Sequence, residues 1–570
     1  MQKRTSLRTF ILCMITFILC ILATGAPLER LAGTTQLATL PTSLLLTMVG
    51  TKLPTNLHLT ANVHNSRMNS DSLEFLSLTA LSYLLYALSA YVAQKRVHAQ
   101  VFPTFATRSV QSRSMNTLLC LIWIGAILLG IVYVLMPSIL SRDSTVYAAY
   151  GRIIMVYHAN PYYIPLSAFP HDPLFQADDW RNALAAYGPI WLAVCAASTL
   201  VAKGSVLYYI FFYRILGLLS HLINIALVTT VLRKTSRSPR VIVLGTLLYA
   251  WNPLVLLESS MGGHNDIEML TCMLLGVLLC VRAEQDAFVH ARYYLPPIVA
   301  FTGATLIKFT AAPIIGFYLI LLARHVLTNA ALYRESGYMH NQSLKFIALR
   351  KVFNAILVCI CLTVILYTPL WLGHTLHEIV DSLGSPPSSR LALESTLRAL
   401  QEVEKVSPHV NVLLAVFSSH STWMIINLVV VGSVFGIGVL CLWRTPTMPI
   451  MIYATLATLE ALLLVTPWFF PWYVTWIVSF AAIAFPTYHN HGKLKRALVL
   501  STLTFSGSAF LIYLFRGYPP IGGWVGYACL STIGPPLLVF LFVLLFSPKK
   551  PSRSPEESFE SVKEVNQPVL

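Results

Sequence analysis

Long apolar stretches recur along the whole chain, and they constrain its fold more than any other feature. A helix needs about 20 apolar residues to cross a hydrocarbon core of about 30 Å. Stretches that approach this length lie at 9–25, 73–92, 116–137, 206–232, 240–258, 267–282, 293–306, 309–323, 352–372, 420–443, 447–465, 471–486, 496–515 and 523–546. The sequence therefore predicts an all-α polytopic membrane protein, a bundle of about 13–15 transmembrane helices.

The low charge content supports this interpretation. Only 11% of the residues are charged and 56% are hydrophobic, whereas soluble proteins carry about 25% charged residues. Such a chain is not a string of water-exposed domains, and its apolar content is too high for a disordered chain. The net charge of +16 leaves two explanations, nucleic-acid binding and the positive-inside rule of membrane topology.

The positions of the basic residues favour topology. With Lys3, Arg4 and Arg8 in the cytoplasm, alternate crossing places most of the 39 Lys and Arg residues on the cytoplasmic side. This holds only if the stretch at 188–202, which is about 22 Å long as a helix, is re-entrant or juxtamembrane. We therefore predict a multi-pass protein of the cell membrane, with the lipid bilayer as a partner, a cytoplasmic C-terminus and no nucleic-acid partner.

The chain divides by composition. Residues 1–115 are interpreted as an N-terminal membrane segment with an outer loop at 26–72, and residues 116–546 as the transmembrane core. Residues 547–570 are rich in Ser, Pro, Glu and Lys, which predicts a disordered cytoplasmic tail. The first apolar stretch resembles a signal peptide, but we favour an uncleaved anchor. The ten cysteines lie in or beside apolar stretches, so no disulfide framework or zinc site is predicted.

Polar residues gather at one end of the predicted helices. The span interiors are nearly free of ionisable groups, which a transporter would place near mid-membrane. Several sequence-distant elements instead present polar or aromatic groups at the outer ends: Asp143 and Arg152 in the first large outer loop at 138–187, then His264, Asn265, Asp266, Lys308, Trp468, Trp472, Tyr473 and Arg516. This pattern predicts a catalytic site at the lipid–water boundary, on the extracytoplasmic face.

Asp143 is the candidate catalytic residue. An aspartate just beyond the outer end of a span stays ionised in partly dry surroundings, which suits a general base acting on a hydroxyl group. Asp is also a preferred N-cap, so the alternative is that Asp143 only caps the helix that follows. On spacing alone the two interpretations are equally supported.

Two further elements have a structural and a functional interpretation. In the segment 262–266, Asn265 or Asp266 is a candidate N-cap, whereas His264 and the exposed helix N-terminus are suited to an anionic group such as phosphate. Lys308 stands alone among apolar residues. It is either a snorkelling lysine or a phosphate contact.

The first outer loop is dense in aromatic and acidic residues. Most of its tyrosines are interpreted as an interfacial aromatic belt. The pair Asp178 and Asp179 is interpreted as solvated rather than as a metal site, and His171 beside Asp172 likewise. Asn160-Pro161 and Gly188-Pro189 are typical turn signals.

These motifs together resemble a known family. The segment from Ser141 to Arg152, Asn160-Pro161-Tyr162 and Tyr187-Gly188-Pro189 resemble the GT-C membrane glycosyltransferases. Gly263-His264-Asn265-Asp266 and Pro471-Trp472-Tyr473 are most similar to the bacterial polyprenyl-phosphate-mannose-dependent α-1,6-mannosyltransferases. The similarity extends over about residues 116–546.

The resemblance implies a GT-C bundle with a large first catalytic outer loop. It implies an inverting transfer of a hexose, mannose above all, from a polyprenyl-phosphate donor to a glycan or glycolipid acceptor of the cell envelope. No cofactor is expected, and a divalent metal is left open. Only Asp143 matches the family's catalytic aspartate. Candidates for binding the donor phosphate or sugar are Arg152, His264, Asn265, Asp266, Lys308 and Arg516, and candidates for lining the substrate site are Tyr147, Tyr150, Asn160, Tyr162, Tyr187, Trp472 and Tyr473.

The sequence leaves other functions to be weighed. A transporter or flippase of lipid-linked sugars would show internal repeats and broken, polar helices at mid-membrane, and neither is evident. A ligase that joins an oligosaccharide to lipid or protein would keep the same fold.

Overall fold

In a computed structural model the chain is an assembly of helices. The structure describes residues 2–31, 70–98, 105–136, 141–329 except 177, 179, 203 and 237, then 333, 343–384, 392–406, 412–485, 492–515 and 524–546. Most of the predicted outer loop at 26–72 and the whole predicted tail at 547–570 lie outside these residues. Within the described ranges there is no strand, only one isolated parallel bridge between Leu393 and Trp468.

The helices follow one another with short connections. Their bounds are α1 Gln2–Leu31, α2 Ser70–His98, α3 Phe105–Val134, α4 Asp143–Met155, α5 Pro189–Ala202, α6 Val206–Thr235, α7 Pro239–Ala250, α8 Pro253–Leu257, α9 Asp266–Gln285, α10 Ala291–Thr305, α11 Pro313–Thr328, α12 Leu344–Trp371, α13 Leu376–Gly384, α14 Thr396–Val406, α15 Val412–Ser418, α16 His420–Arg444, α17 Met448–Val465, α18 Thr475–Ala484, α19 Lys493–Ser508, α20 Leu511–Phe515 and α21 Trp524–Phe546. A π-helical turn, Glu258–Gly262, continues α8.

The fold confirms the prediction of an all-α polytopic membrane protein. Ten helices in the described part are long and apolar enough to cross a membrane, or eleven if the bent pair α7–α8 forms one span. This is fewer than the sequence predicts. The stretch at 267–282 carries acidic residues at its start and Arg282 near its end, and those at 293–306 and 471–486 form helices of only 15 and 10 residues.

Burial separates the inner helices from the lipid-facing ones. In α12 and α16 only 11% of the candidate span is buried, as expected for helices that face hydrocarbon on most sides. The interior is centred on large aromatic residues such as Trp251, which is fully buried. Phe10 of α1 stacks on Trp251 at 5.2 Å between ring centroids, so the N-terminal helix packs into the core of the bundle.

The region predicted as the first large outer loop begins with a buried helix. In α4 the side chains of Tyr147, Ala148 and Ala149 are completely buried, and the helix packs against α5. The stretch predicted as a short, non-spanning segment at 188–202 forms α5, which has 14 residues. The pair α4–α5 therefore belongs to the packed interior of the bundle, because residues on every side of α4 are buried.

The segment from Arg390 to Lys405 also differs from a freely solvated helix. Its charges recur every three or four residues, at Arg390, Glu394, Arg398, Glu402 and Lys405, which predicts a solvent-exposed surface helix. However, Leu397 and Ala399 of α14 are buried, and the helix packs against α21. The apolar residues between the charges thus hold α14 on the bundle. One face remains exposed, with Lys405 60% exposed.

Candidate active site

The segments that follow four helix ends lie close together, and three of them line one cavity. The segment 263–266 contacts Asp143 and Lys308 but is not part of the lining. Asp143 comes after α3, the segment 263–266 after the π turn, Lys308 after α10, and the segment 466–474 after α17. The cavity has a volume of about 250 Å³. Its lining is mostly apolar and aromatic, with two charged residues: Asp143, Val146, Tyr150, Trp180, Ala183, Leu184, Ala186, Tyr187, Lys308, Phe309, Thr310, Leu462, Leu463, Thr466, Trp468, Phe470, Tyr473 and Trp476.

Asp143 lies at the floor of this cavity and does not cap a helix. Arg142 occupies the N-cap position of α4, and no side chain makes a capping hydrogen bond there. The Asp143 Oδ2 atom instead lies 3.3 Å from Nδ1 of His264 and accepts a long hydrogen bond of 3.4 Å from the Tyr147 hydroxyl. The alternative of Asp143 as an N-cap is therefore wrong, and its side chain is free to act in the cavity.

The charge state of Asp143 follows from its neighbours. Its side chain is 16% exposed, and burial alone would raise the pKa of the carboxyl group. The contact with His264, the nearby Ser141 hydroxyl and the charge of Lys308 outweigh burial, so the pKa lies below its usual value. Asp143 is consequently a carboxylate at neutral pH, the form that accepts a proton.

His264 lies between two carboxylates. Its Nδ1 atom faces Asp143, and its Nε2 atom lies 3.3 Å from Oε2 of Glu258. Both nitrogens are close enough to a carboxylate for an ion pair, but neither contact has the geometry of a hydrogen bond. Burial lowers the pKa of His264, but the two carboxylates outweigh it and raise the pKa to about 9, so the ring is an imidazolium at neutral pH.

The turn before His264 explains the two glycines of the motif. Gly263 has φ +64°, a left-handed conformation that favours glycine. A Cβ atom on Gly262 would lie 2.5 Å from the His264 ring. The His264 ring stacks on Trp472 at 3.9 Å with an interplanar angle of 12°, which fixes the direction of both ring nitrogens.

Asn265 is bound to Tyr147 rather than acting as a helix cap. It occupies the N-cap position of α9 without a side-chain capping hydrogen bond, and its Oδ1 atom accepts from the Tyr147 hydroxyl at 3.3 Å. Tyr147 is enclosed by the rings of Tyr187, Trp191 and Tyr213. Tyr147 therefore contacts both Asp143 and Asn265 through its hydroxyl group, and it does not line the cavity.

Lys308 and Asp266 form a buried ion pair. The Lys308 Nζ atom donates to Oδ1 of Asp266 at 2.7 Å, and the Trp476 indole N–H donates to the same oxygen at 2.5 Å. The ammonium group lies 4.2 Å from the centroid of the Tyr473 ring, in range of a cation–π interaction. Lys308 thus does not snorkel to a surface, and Asp266 is its counter-ion.

Backbone contacts hold Tyr187 beside Lys308. The Gly188 N–H donates to the Ile307 carbonyl at 3.0 Å, and the Ile190 N–H donates to the Leu306 carbonyl at 3.1 Å. A Cβ atom on Gly188 would lie 2.0 Å from the Leu306 carbonyl oxygen, so only glycine allows this approach. The Gly188-Pro189 turn therefore fixes one wall of the cavity against the Lys308 loop.

Aromatic residues form one wall of the cavity. The rings of Trp180 and Trp468 lie 5.3 Å apart, and those of Trp468 and Phe470 5.7 Å. Leu393 pairs with the backbone on both sides of Trp468, donating to the Pro467 carbonyl at 2.9 Å and accepting from the Phe469 N–H at 3.0 Å. Trp472, predicted to line the substrate site, lies behind this wall against His264.

Other predicted site residues lie away from the cavity. Arg152 is nine residues further along α4, about 14 Å along the axis, where its Nε atom donates to Asp172 at 2.7 Å. The Asn160 side chain donates to the Leu370 carbonyl, and the Tyr162 hydroxyl to the Tyr187 carbonyl. These residues connect the elements around the cavity to one another. Arg516 lies outside the described residues.

Two residues in or near the cavity, Glu258 and Trp180, have no role in the sequence-based hypothesis. Glu258 stands out in the sequence only as a charge within an apolar stretch, and Trp180 gives no signal beyond its aromatic character. Glu258 is 1% exposed. Within the described ranges no group of three or more His, Cys, Asp or Glu side chains could hold a metal ion.

Comparison with known proteins points to a glycosyltransferase. Residues 42–324 match the alpha-(1->6)-mannopyranosyltransferase family, N-terminal domain. This range includes Asp143, Glu258, His264 and Lys308, whereas Trp468 lies beyond it. No curated protein matches the chain. The match supports a mannosyl transfer activity.

Proposed function

For a polytopic membrane chain that resembles the α-(1→6)-mannopyranosyltransferases, we propose that it moves mannose from a polyprenyl-phosphate donor to a glycan or glycolipid acceptor. The observation that carries the proposal is one cavity that holds an ionised Asp143 and the ammonium group of Lys308 among aromatic walls. These are the two charges that a sugar transfer from a phosphate leaving group requires.

In the proposed reaction Asp143 is the general base. Its carboxylate takes the proton of the acceptor hydroxyl while the oxygen attacks the anomeric carbon of the sugar. The bond between that carbon and the phosphate oxygen breaks, and its electron pair leaves with the polyprenyl phosphate. Attack and departure on opposite faces invert the configuration at the anomeric carbon.

Lys308 is proposed to stabilise the leaving phosphate. Its ammonium group has three protons, of which one is donated to Asp266, so two remain for a ligand in the cavity. A fixed cation at the atom where negative charge develops lowers the barrier to transfer. The aromatic rings of Tyr473 and Trp476 beside it keep it from bulk water.

The aromatic wall is proposed to bind the sugars. Trp180, Trp468 and Phe470 line the cavity and offer flat apolar faces on which a hexose ring stacks. The leucines at the end of α17, Leu462 and Leu463, extend this lining on an apolar surface suited to the first units of the lipid. A largely apolar site also limits hydrolysis of the donor by water.

The proposed location of the reaction is the extracytoplasmic face of the cell membrane. The support is the positive-inside distribution of the basic residues, because it assigns the helix ends that carry Asp143 and Lys308 to the outer side. The same distribution leads us to propose a cytoplasmic C-terminus.

The test uses the purified full-length protein in lipid nanodiscs, with polyprenyl-phosphate mannose labelled in the sugar and a short α-1,6-linked mannan acceptor. We expect labelled, elongated acceptor that increases with time, and little product from the corresponding glucose and arabinose donors. A better rate with glucose or arabinose would contradict the assignment of the sugar. Movement of labelled donor across vesicles without product would instead identify a flippase.

A further inference from the structure

Glu258 is a buried carboxylate beside the site that the proposed reaction does not use. It begins the π-helical turn Glu258–Gly262 and is 1% exposed. One of its oxygens faces Nε2 of His264, and the other accepts a hydrogen bond of 2.6 Å from the Tyr513 hydroxyl. A buried charge is costly unless it is paired, so its position needs an explanation.

The local backbone aims Glu258 at His264. π-helical turns are rare and frequently occur at functional sites, and this one ends where Gly263 reverses the chain. His264 therefore folds back over the turn, with Gly262 leaving room for its ring. The stacking of the ring on Trp472, which itself stacks on Phe470 at 4.3 Å, prevents it from rotating away.

The three side chains thus form a row. Asp143, in contact with the cavity, and Glu258, remote from it, face opposite nitrogens of the same imidazole ring, each at 3.3 Å. We propose that Glu258 is a positioning residue of the sugar transfer, which acts through His264 to keep a protonated imidazole against the Asp143 carboxylate. This inference rests on the proposed function.

The physical basis is the coupling of three charges in a dry environment. An imidazolium that loses one of its two carboxylate neighbours holds its proton less firmly. When the proton is lost, Asp143 faces a neutral ring, and the cation that fixed its orientation disappears. Charge–charge interactions of this kind are stronger in a buried site than in water.

Other charged groups surround His264 and also influence the charge of its ring. Asp266 follows it by two residues and is neutralised by Lys308. Glu268 of α9 interacts with the His264 charge and accepts a hydrogen bond from Ser220. From α6, Arg214 donates to the Met261, Val134 and Met136 carbonyls. The titratable and charged groups around His264 are thus Asp143, Tyr147, Arg214, Glu258, Asp266, Glu268, Lys308 and Tyr513.

The test compares kcat between pH 6 and 10 in the full-length wild type and in Glu258→Gln, with donor and acceptor saturating. Gln keeps the size of the side chain but removes its charge. We expect the alkaline midpoint, the pH at which kcat falls to half its maximum, to move down by about 1 to 3 units. At pH 8.5 a midpoint that moves from about 9 down to between 8 and 6 should lower kcat about threefold to 200-fold, with the KM for the donor unchanged.

Two further variants make the test specific. Glu258→Asp keeps the charge at a longer distance, so its alkaline midpoint should lie between those of Glu258→Gln and the wild type. Glu460→Gln is the matched control, because Glu460 is also buried but its hydrogen-bond partner is the Thr502 hydroxyl and not a histidine. It should leave the alkaline midpoint unchanged.

The outcomes separate this inference from the proposed function. If Asp143→Asn abolishes transfer while Glu258→Gln keeps the wild-type kcat and alkaline midpoint, the role of Glu258 is wrong and the proposed function stands. If Asp143→Asn retains the wild-type rate, the proposed base is wrong. If Glu258→Gln does not fold, Glu258→Asp decides: a midpoint equal to the wild type overturns the inference, and a lower one supports it.

Discussion

Two clusters of three charged residues in this protein differ in composition and in construction. In α14, Glu402 accepts from Arg398 at 2.7 Å and from Lys405 at 3.1 Å, all within two turns of one helix. At the site, His264 lies between Asp143 and Glu258, which come from elements more than a hundred residues apart. The cations of the first cluster are 33% and 60% exposed, whereas His264 is fully buried.

The difference in exposure determines how much each cluster contributes to the free energy of folding. Exposed ion pairs stabilise the folded state by only about 0–1 kcal/mol, because water screens the charges and the side chains lose conformational freedom. Buried charges must be paired, since breaking a buried pair costs about 3–5 kcal/mol. We therefore expect substitutions in α14 to have little effect and substitutions at the site to change the reaction, in the order that follows.

The largest effect is expected for Asp143→Asn. Asn keeps the shape of the side chain and its contact with Tyr147 but does not accept a proton, so transfer should fall about 10²–10⁴-fold. The rate is measured with labelled donor, and gel filtration and the thermal midpoint verify folding. Glu402→Gln is the control from α14 and should retain the wild-type rate. An Asp143→Asn rate above half of the wild type would contradict the base assignment.

The next largest effect is expected for Lys308→Met. Loss of the cation that stabilises the leaving phosphate should lower kcat about 10²–10³-fold, while Lys308→Arg retains part of the activity. Because Lys308→Met also leaves Asp266 without its counter-ion, the double variant Asp266→Asn/Lys308→Met is the control. The double variant should recover stability and remain inactive. Recovery of its activity would show that Lys308 only neutralises Asp266.

A smaller effect, on thermal stability, is expected when a rise in pH removes the charge of His264. The pKa of His264 is raised from 6.5 to about 9 in the folded protein. The stabilisation is therefore fully present below pH 6.5 and is lost as the pH rises through about 9. The difference in Tm between the wild type and His264→Gln should be largest near pH 6 and should shrink towards pH 10. A difference independent of pH would contradict a charged His264.

The smallest effect is expected for Arg398→Ala. Removing this partly exposed partner of Glu402 should lower stability by no more than about 1 kcal/mol and leave transfer unchanged. High salt should have an equally small effect on the wild-type cluster. A tenfold loss of transfer in Arg398→Ala would show that α14 takes part in the reaction, and the contrast between the two clusters would no longer hold.

The sequence predicts the architecture better than the site because hydrophobicity is a local property. Apolar stretches identify helices such as α6, α12 and α16 directly. Within the described residues fewer helices reach the length and hydropathy of a span than the sequence predicts, since stretches such as 293–306 and 471–486 contain only the short helices α10 and α18. Hydropathy does not distinguish a short buried helix from a span.

The site is predictable only in part. Lys308 stands out because it is a single charge among apolar residues, and Asp143 because it follows the outer end of a predicted span. The distance between Arg152 and the cavity depends on the direction in which α4 runs, which the sequence does not give. The partner of Arg152, Asp172, is a loop residue with no distinguishing sequence pattern. The link between Glu258 and His264 depends on a π-helical turn and a left-handed glycine, which spacing alone does not reveal.

The configuration of the product tests the central claim most directly, because a carboxylate at this position acts either as a base or as a nucleophile. In a single turnover with a donor of known anomeric configuration, NMR of the new glycosidic bond should show the opposite configuration, as a single displacement with Asp143 as the base requires. Retention of configuration, with mannose found attached to Asp143 by mass spectrometry of the protein, would contradict the account.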